Sequence, residues 1–365
     1  MRTANTYSLA IVLLCVAAVS HPGHQLRADT RTSAQRSGCS HLRYSAVPIA
    51  ARDGARLFPS DFNNEGEVVG GIADDSNSLV EAFLWKEGKY VRLGDRIFAG
   101  ALVTSAAALN DRTQVVGGFL TPDFNGGDYL LDKRGVTYLV GFSPAEINDH
   151  GDIAGSSVSA GLIHGAVWRN GEILILPMAP GHVFASAVDI NSTGTVVGVG
   201  AAPEVNSEAL VWFAPYATAP TVIRLPVNAT SSPRVAGVNN RDQVVFVVAV
   251  DPDPGTIGDD VARGYVWSAG RPLQVLEPLP GYAHSSASDI NSAGLIVGES
   301  TSASGGSTAA TLWRNGQTCA LQDLVTTPQF EGPWIFAQRV NERGEILAFL
   351  DQSPIGAGWF LLSPR

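Results

Sequence analysis

One short turn occurs seven times in this chain and constrains its fold more than any other feature. Its asparagines are Asn63, Asn110, Asn148, Asn191, Asn239, Asn291 and Asn341, each preceded by Phe, Leu, Ile or Val. Three residues after each asparagine stand Gly66, Thr113, Gly151, Gly194, Asp242, Gly294 and Gly344. The copies are 38 to 52 residues apart, a period that marks repeat architectures. An Asn side chain bonds the backbone ahead of it, and a residue with φ > 0 closes a type I turn with a bulge. Glycine meets that demand without cost and Asp242 tolerates it. The β-branched Thr113 is either strained there or turns differently.

The flanks read as strands. A Val/Ile-rich run after each turn ends at Gly70, Gly117, Gly155, Gly198, Phe246, Gly298 or Ala348. An aromatic strand follows, at 82–85, 128–131, 165–168, 209–212, 264–267, 310–313 and 358–361. A tight turn such as Lys86-Glu87-Gly88 then leads to one more strand. Four short strands per repeat is the arithmetic of a propeller blade, so the chain is predicted to be all-β: a seven-bladed β-propeller of four-stranded antiparallel blades. Residues 42–49, ahead of the first blade, are predicted to close the last blade beside residues 359–362. Small residues before each Asn, as in Ser105-Ala106-Ala107-Ala108, place that strand nearest the axis. Trp85, Trp168, Trp212, Trp267 and Trp313 are expected in the core between blades. In antiparallel blades the Asn turns and the turns after Trp share one face, which should be tight and regular. The variable loops and the long links between blades share the other face, where binding is expected.

A formal charge of −10 with only 16% charged residues argues against nucleic acid and anionic membranes as partners. Arg2 and the apolar run 9–19, ending in small residues, read as an export signal cleaved after Ser20. Expected organisation is therefore a signal peptide at 1–20, a flexible leader at 21–41 and one propeller domain at 42–365. Without a second long apolar stretch, the mature chain is expected to be a secreted or periplasmic monomer with no membrane insertion. Cys39 and Cys319 remain after cleavage, and an oxidising compartment favours a disulfide between them.

These residues resemble the HAF-repeat family of exported bacterial proteins, which carries Ile-Asn-x-x-Gly-x-Val-Val-Gly segments followed by a His-Ala-Phe-x-Trp strand. Glu81-Ala82-Phe83-Leu84-Trp85 has Glu in place of the His, and His164 precedes Gly165-Ala166-Val167-Trp168. The likeness covers about residues 42–365, with repeats two and five departing most. It implies an exported repeat protein and brings no catalytic residues.

Three groups are candidates for chemistry. Asp123, Asn125 and Asp128, with Asp251 and Asp253, alternate oxygen ligands with glycine and proline in the manner of a Ca²⁺ loop, although the twelve-residue loop with its closing Glu is absent. The alternative is solvated turn residues and no cofactor. His182 and His284 lie in the paired segments 180–184 and 280–284 and would supply general acid or base groups beside acidic loops. Tyr282, Trp334 and Phe336 would stack on a sugar or an apolar ligand; alternatively they plug the channel. No nucleophile elbow, zinc-protease helix or phosphate loop occurs. Two functional readings follow. The first is a non-enzymatic propeller binding a glycan or protein ligand through its variable face. The second is a hydrolase or lyase with its site at the channel mouth.

Overall fold

All seven asparagines make the predicted turn, and Asn63, Asn110, Asn148, Asn191 and Asn291 make one further bond. A computed structural model describes residues 41–51, 54–73, 79–204, 206–253, 258–327, 330, 332–351 and 357–365. The expected signal peptide, almost all of the leader, and Cys39 lie outside them. Each Asn carbonyl accepts the N–H of the fourth turn residue, as from Gly194 at 3.1 Å and Gly294 at 2.9 Å. That fourth residue has positive φ in every copy, including Thr113 at 56° and Asp242 at 58°. Thr113 thus accepts the strained conformation, and its hydroxyl donates to Glu67 at 2.7 Å. The additional bond comes from Nδ2. Asn63 donates to the Asn110 carbonyl, Asn110 to Asn148, Asn148 to Asn191 and Asn191 to Asn239, at 2.8–3.0 Å. Asn291 donates to Asn341 in the same way. Aspartate makes the turn equally well, but only asparagine supplies this donor.

Seven four-stranded antiparallel sheets follow, forming a seven-bladed β-propeller. The blades begin at Arg56, Val103, Phe142, Phe184, Arg234, His284 and Trp334. Strand Tyr44–Pro48 completes the last blade, pairing with Gly358–Pro364 so that Val47 faces Leu361, as predicted. Two compact units divide the residues: Ile49–Leu225 with Ser232–Val244, and the closing strand with Pro226–Ser231 and Val245–Arg365.

In the first unit, apolar layers fill the gaps between consecutive sheets. Leu93, Ile97, Tyr129 and Leu131 lie between blades one and two, Phe142 and Ile153 between two and three, and Leu210 and Trp212 between three and four. The second unit buries Tyr44, Leu312, Trp334, Phe360 and Leu362 together, and burial pushes the Tyr44 phenol up to about 12. Trp212 and Trp313 are buried as expected, each indole N–H donating at 2.7 Å to a link carbonyl, of Pro177 and Glu277. Trp85 is buried as well, while Trp168 and Trp267 are half-buried. Each such layer removes apolar area from water at roughly 25 cal/mol per Å².

First strands of neighbouring blades lie side by side, which explains their small side chains. Ser60 Oγ donates to the Ala106 carbonyl at 2.8 Å. Carboxylates occupy the adjoining position and satisfy edge N–H groups of the next blade: Asp61 takes Leu109, Asp189 takes Val238 and Asp289 takes Val340, at 2.7–2.9 Å. The first strand also bulges in blades one, two, three, four and six, as between Ala187 and Asp189. Opposite each bulge stands the glycine that ends the Val-rich run. A Cβ at Gly198 would come within 2.0 Å of the Ser186 oxygen. In blade seven the bulge pattern doubles, and Ala348 fits opposite Ala337.

One alignment made from the sequence is corrected by register. Gly70 pairs with Phe83 and Gly198 with Leu210, while Ala348 pairs with Phe360. The tryptophan position of blade seven is therefore held by Leu362, one residue later than the predicted strand. Trp359 occupies a position where other blades have Ala82, Gly165 or Gly264.

Candidate functional site

Strand direction sorts the connections onto two faces. Asn turns and post-tryptophan turns lie at one end of every blade, and second-to-third loops and inter-blade links lie at the other. The tight turns mostly repeat. Asn170-Gly171 and Asn315-Gly316 repeat one pair of positive φ values, 52° and 92° against 51° and 75°. In blade four the connection between Trp212 and Thr221 is eight residues long and exposes Phe213, a departure from the regular face expected.

On the variable face, the segments carrying His182 and His284 are the same structure. Ala179-Pro180-Gly181-His182 closes with His182 N–H donating to the Ala179 carbonyl, and Leu279-Pro280-Gly281-Tyr282 closes with Tyr282 to Leu279. Proline at the second position and glycine at the third, at φ 82° and 86°, make type II turns. His182 therefore corresponds to Tyr282, and His284 to Phe184. The two histidines do not occupy matching places.

His182 Nε2–H donates to Glu208 Oε2 at 2.8 Å. Its side chain is only 4% exposed, against 45% for Glu208. Its Nδ1 is buried without a partner, and a Cβ at Gly200 would come within 2.7 Å of it. His284 is fixed differently: its Nδ1 accepts the Ala262 N–H at 3.0 Å, so the ring proton sits on Nε2 when the ring is neutral. At the place where the repeat resemblance asks for histidine, Glu81 binds Arg92 at 2.7 Å, and this hydrogen bond is the main cause that raises the arginine's pKa.

The aromatic candidates separate. Tyr282 is half-buried against Leu279, Ala309 and Ala320. Trp334 is a correction: it is 2% exposed, its ring edge-on to Phe360 at 5.2 Å inside the blade core, and it offers no face to a ligand. Phe336 is half-buried in a cluster with Phe349 and Trp359, ring centroids 5.1–5.7 Å apart.

The acidic candidates belong to two second-to-third-strand hairpins, one in blade two and one in blade five. Asp123 and Asn125 are exposed on a hairpin whose turn is closed by Thr121, with Asn125 N–H donating to Thr121 Oγ1. Asp128 accepts from Ser143 in the next blade, and Asp251 accepts the N–H of Asp253. Among the described residues no group of three or more His, Cys, Asp or Glu side chains is placed to hold a metal ion. Residues 254–257 of the second loop lie outside the described residues. Cys319 is buried in the fourth strand of blade six and is disulfide-bonded.

Sequence reasoning missed Phe124. It lies at the tip of the Asp123–Asn125 hairpin, 76% exposed, at φ 58°. The sequence signal was present, but Asp-Phe-Asn-Gly drew attention to its oxygens. A second omission is the packed group Phe98, Phe119 and Tyr138, the first two rings stacked at 5.1 Å. Gly127 makes room for it, because a Cβ there would come within 2.6 Å of Phe119.

No protein-family model matches the chain, and no curated protein does. Solved structures are similar in fold. The β-propeller domain of the Trilobed protease from Pyrococcus furiosus has a TM-score of 0.53 at 9% identity, covering 85% of this chain and 94% of its own. A gluconolactonase from Xanthomonas campestris reaches 0.41 at 12% identity, covering 92% and 94%. The Aleuria aurantia lectin in complex with α-methyl-L-fucoside reaches 0.37 at 11% identity, covering 77% and 94%. The likeness to the first of these carries the fold and no activity. What the turns, the sheets and the first of these structures establish together is a seven-bladed β-propeller.

Proposed function

We propose that this chain is an exported, non-enzymatic binding propeller of the HAF-repeat type, taking a glycan or protein ligand on its variable face. The supporting observation is the contrast between faces. On the tight face the repeated asparagines are spent on turn closure and on the ladder between blades, whereas the second-to-third loops and links of the variable face differ in length and sequence from blade to blade. A hydrolase or lyase is the second reading, favoured by the His182–Glu208 pair. Against it, the ring is almost wholly covered, and a general base must reach the proton it takes.

The test is a glycan array and a peptide library probed with the purified protein and two variants. Val183→Asp alters the variable face and Arg134→Asp the tight face. Binding is expected to fall with a variable-face change and to survive the tight-face one; the reverse result, or turnover of arrayed glycans, removes the reading.

Export and the Cys39–Cys319 bridge belong to the same proposal. Intact mass spectrometry of secreted protein is expected to give a chain starting at His21 that gains about 2 Da on reduction, the two hydrogens of a cleaved disulfide. An unchanged mass on reduction eliminates the bridge, and a retained signal peptide eliminates the cleavage.

A further inference from the structure

We propose that the variable face of blades two and three docks a polypeptide whose apolar side chains are flanked by lysine or arginine. This rests on the variable-face reading and narrows its ligand to a protein. The exposed apolar side chains are Leu102, Phe124, Val140, Val158 and Leu162, with Phe124 at 76% and Val140 at 87%. Scattered exposed apolar residues are ordinary. These five share one end of two adjacent blades, and the tight turns of those blades expose no large hydrophobic side chain among the described residues.

Backbone bonds join them into one surface. Leu102 N–H donates to the Leu120 carbonyl at the base of the Phe124 hairpin, and Leu139 N–H donates to Asp128 on its return strand, both at 2.8 Å. Val140 follows directly. Ser157 Oγ then donates to the Gly141 carbonyl at 2.8 Å, bringing in the hairpin whose tip carries Val158 and Leu162.

Phe124 is the strongest single observation. The hairpin tip is closed by Phe124 N–H to Thr121 and by Thr121 N–H to Asn125. Its φ of 58° is an outlier for a bulky residue, and glycine would relieve it. The chain instead holds a strained phenylalanine out in solvent, where folding recovers nothing from its ring. Burial in a partner would recover it.

Charge selects the partner. Between residues 98 and 163 every basic side chain, Arg112, Lys133, Arg134 and His150, stands on a tight-face turn. The variable end of that stretch carries the carboxylates of Asp123 and Asp128, and in the link ahead of Leu102 the exposed Arg96 is offset by the adjacent Asp95, so the surface is net acidic. A basic partner is steered to such a surface and an acidic one is repelled. Phe124 has a flat ring, but Leu102, Val140, Val158 and Leu162 around it offer neither a ring nor hydrogen-bonding atoms, which favours a polypeptide over a sugar.

The test selects a random displayed-peptide library on the whole purified protein. Affinities of the enriched peptides are then measured on parent, Phe124→Asp, Val140→Asp and Lys133→Glu proteins. Enriched peptides are expected to pair apolar residues with Lys or Arg and to bind Phe124→Asp and Val140→Asp at least ~10-fold more weakly, the scale of one buried anchor. Lys133→Glu should bind like the parent. Melting curves establish that the variants are folded, and Val140→Asp carries the test if Phe124→Asp is not. No enrichment, acidic peptides, or binding indifferent to both substitutions overturns the docking surface. Self-association lost in Phe124→Asp also overturns it, by making the occupant a second copy. If Val183→Asp abolishes binding while Phe124→Asp does not, only this inference fails; if Lys133→Glu abolishes it, the variable-face reading fails too.

Discussion

Replacing Asn191 with alanine is expected to cost about 3–5 kcal/mol of stability, several times what surface polar contacts are worth. Its Oδ1 accepts the N–H groups of Thr193 and Thr195 and the Thr193 hydroxyl, while Nδ2 serves the Asn239 carbonyl and the Asp242 carboxylate, all within 2.8–3.0 Å. Asn191, Thr195 and Asn239 are all buried, so alanine strands donors and acceptors that water does not reach. Asn64→Ala is the control: its side chain reaches Asp111 from a half-buried position, and its loss should cost about 1 kcal/mol or less. Asn191→Asp discriminates further, because it keeps the acceptor and loses the donor. An ionised carboxylate there would face the Asn239 carbonyl and Asp242, which raises its folded-state pKa above the unfolded value of about 3.9. The folded state then binds more protons than the unfolded one, so the variant loses stability as pH rises through that window and regains part of it below. Urea unfolding at pH 7 and pH 4 reads both effects. A loss under about 1 kcal/mol for Asn191→Ala, or no recovery at low pH for Asn191→Asp, would exclude a working ladder.

Gly198→Ala should be nearly as harmful, at about 3 kcal/mol. The reason is not backbone dihedral preference, since Gly198 is not among the positive-φ glycines. A Cβ would stand 2.0 Å from the Ser186 oxygen and 2.9 Å from Ala187 Cα, both backbone atoms. Relief requires moving the bulged first strand, which is also in contact with its neighbours on either side through Ser156–Ser186 and Asp189–Val238. Gly171 makes the opposite case: φ is 92° and nothing lies within 4 Å of a new Cβ. Gly171→Ala should cost only about 1–2 kcal/mol, the left-handed penalty. Unfolding midpoints in urea rank the two, and a Gly171→Ala loss equal to or above that of Gly198→Ala would contradict the close-approach account.

Both variants concern residues visible in the sequence as a repeat, and the comparison shows what a repeat conveys. The Asn spacing announced hairpins, the four-strand arithmetic announced blades, and residues 42–49 were recognisable as the missing fourth strand of the last blade. These inferences rest on period and local turn chemistry, which act over a few residues. The tryptophan register of blade seven was misread because Gly358-Trp359 imitates the local pattern, and only pairing of Ala348 with Phe360 locates it. By sequence alone Trp334 reads as an aromatic that stacks on a ligand or plugs the channel, yet the neighbouring sheet covers it.

The sequence by itself determined the fold class, the number of blades and the assignment of loops to faces, because each depends on periodicity. Tertiary structure decided three other things. It showed why the turn residue is asparagine, whose donor is used by the next blade about 46 residues away, a distance no local pattern encodes. It showed that His182 is tied to Glu208 and matched by Tyr282. It also separated covered aromatics such as Trp334 from exposed ones such as Phe124. Burial is a property of what packs from elsewhere in the chain, so it emerges only when the blades are assembled.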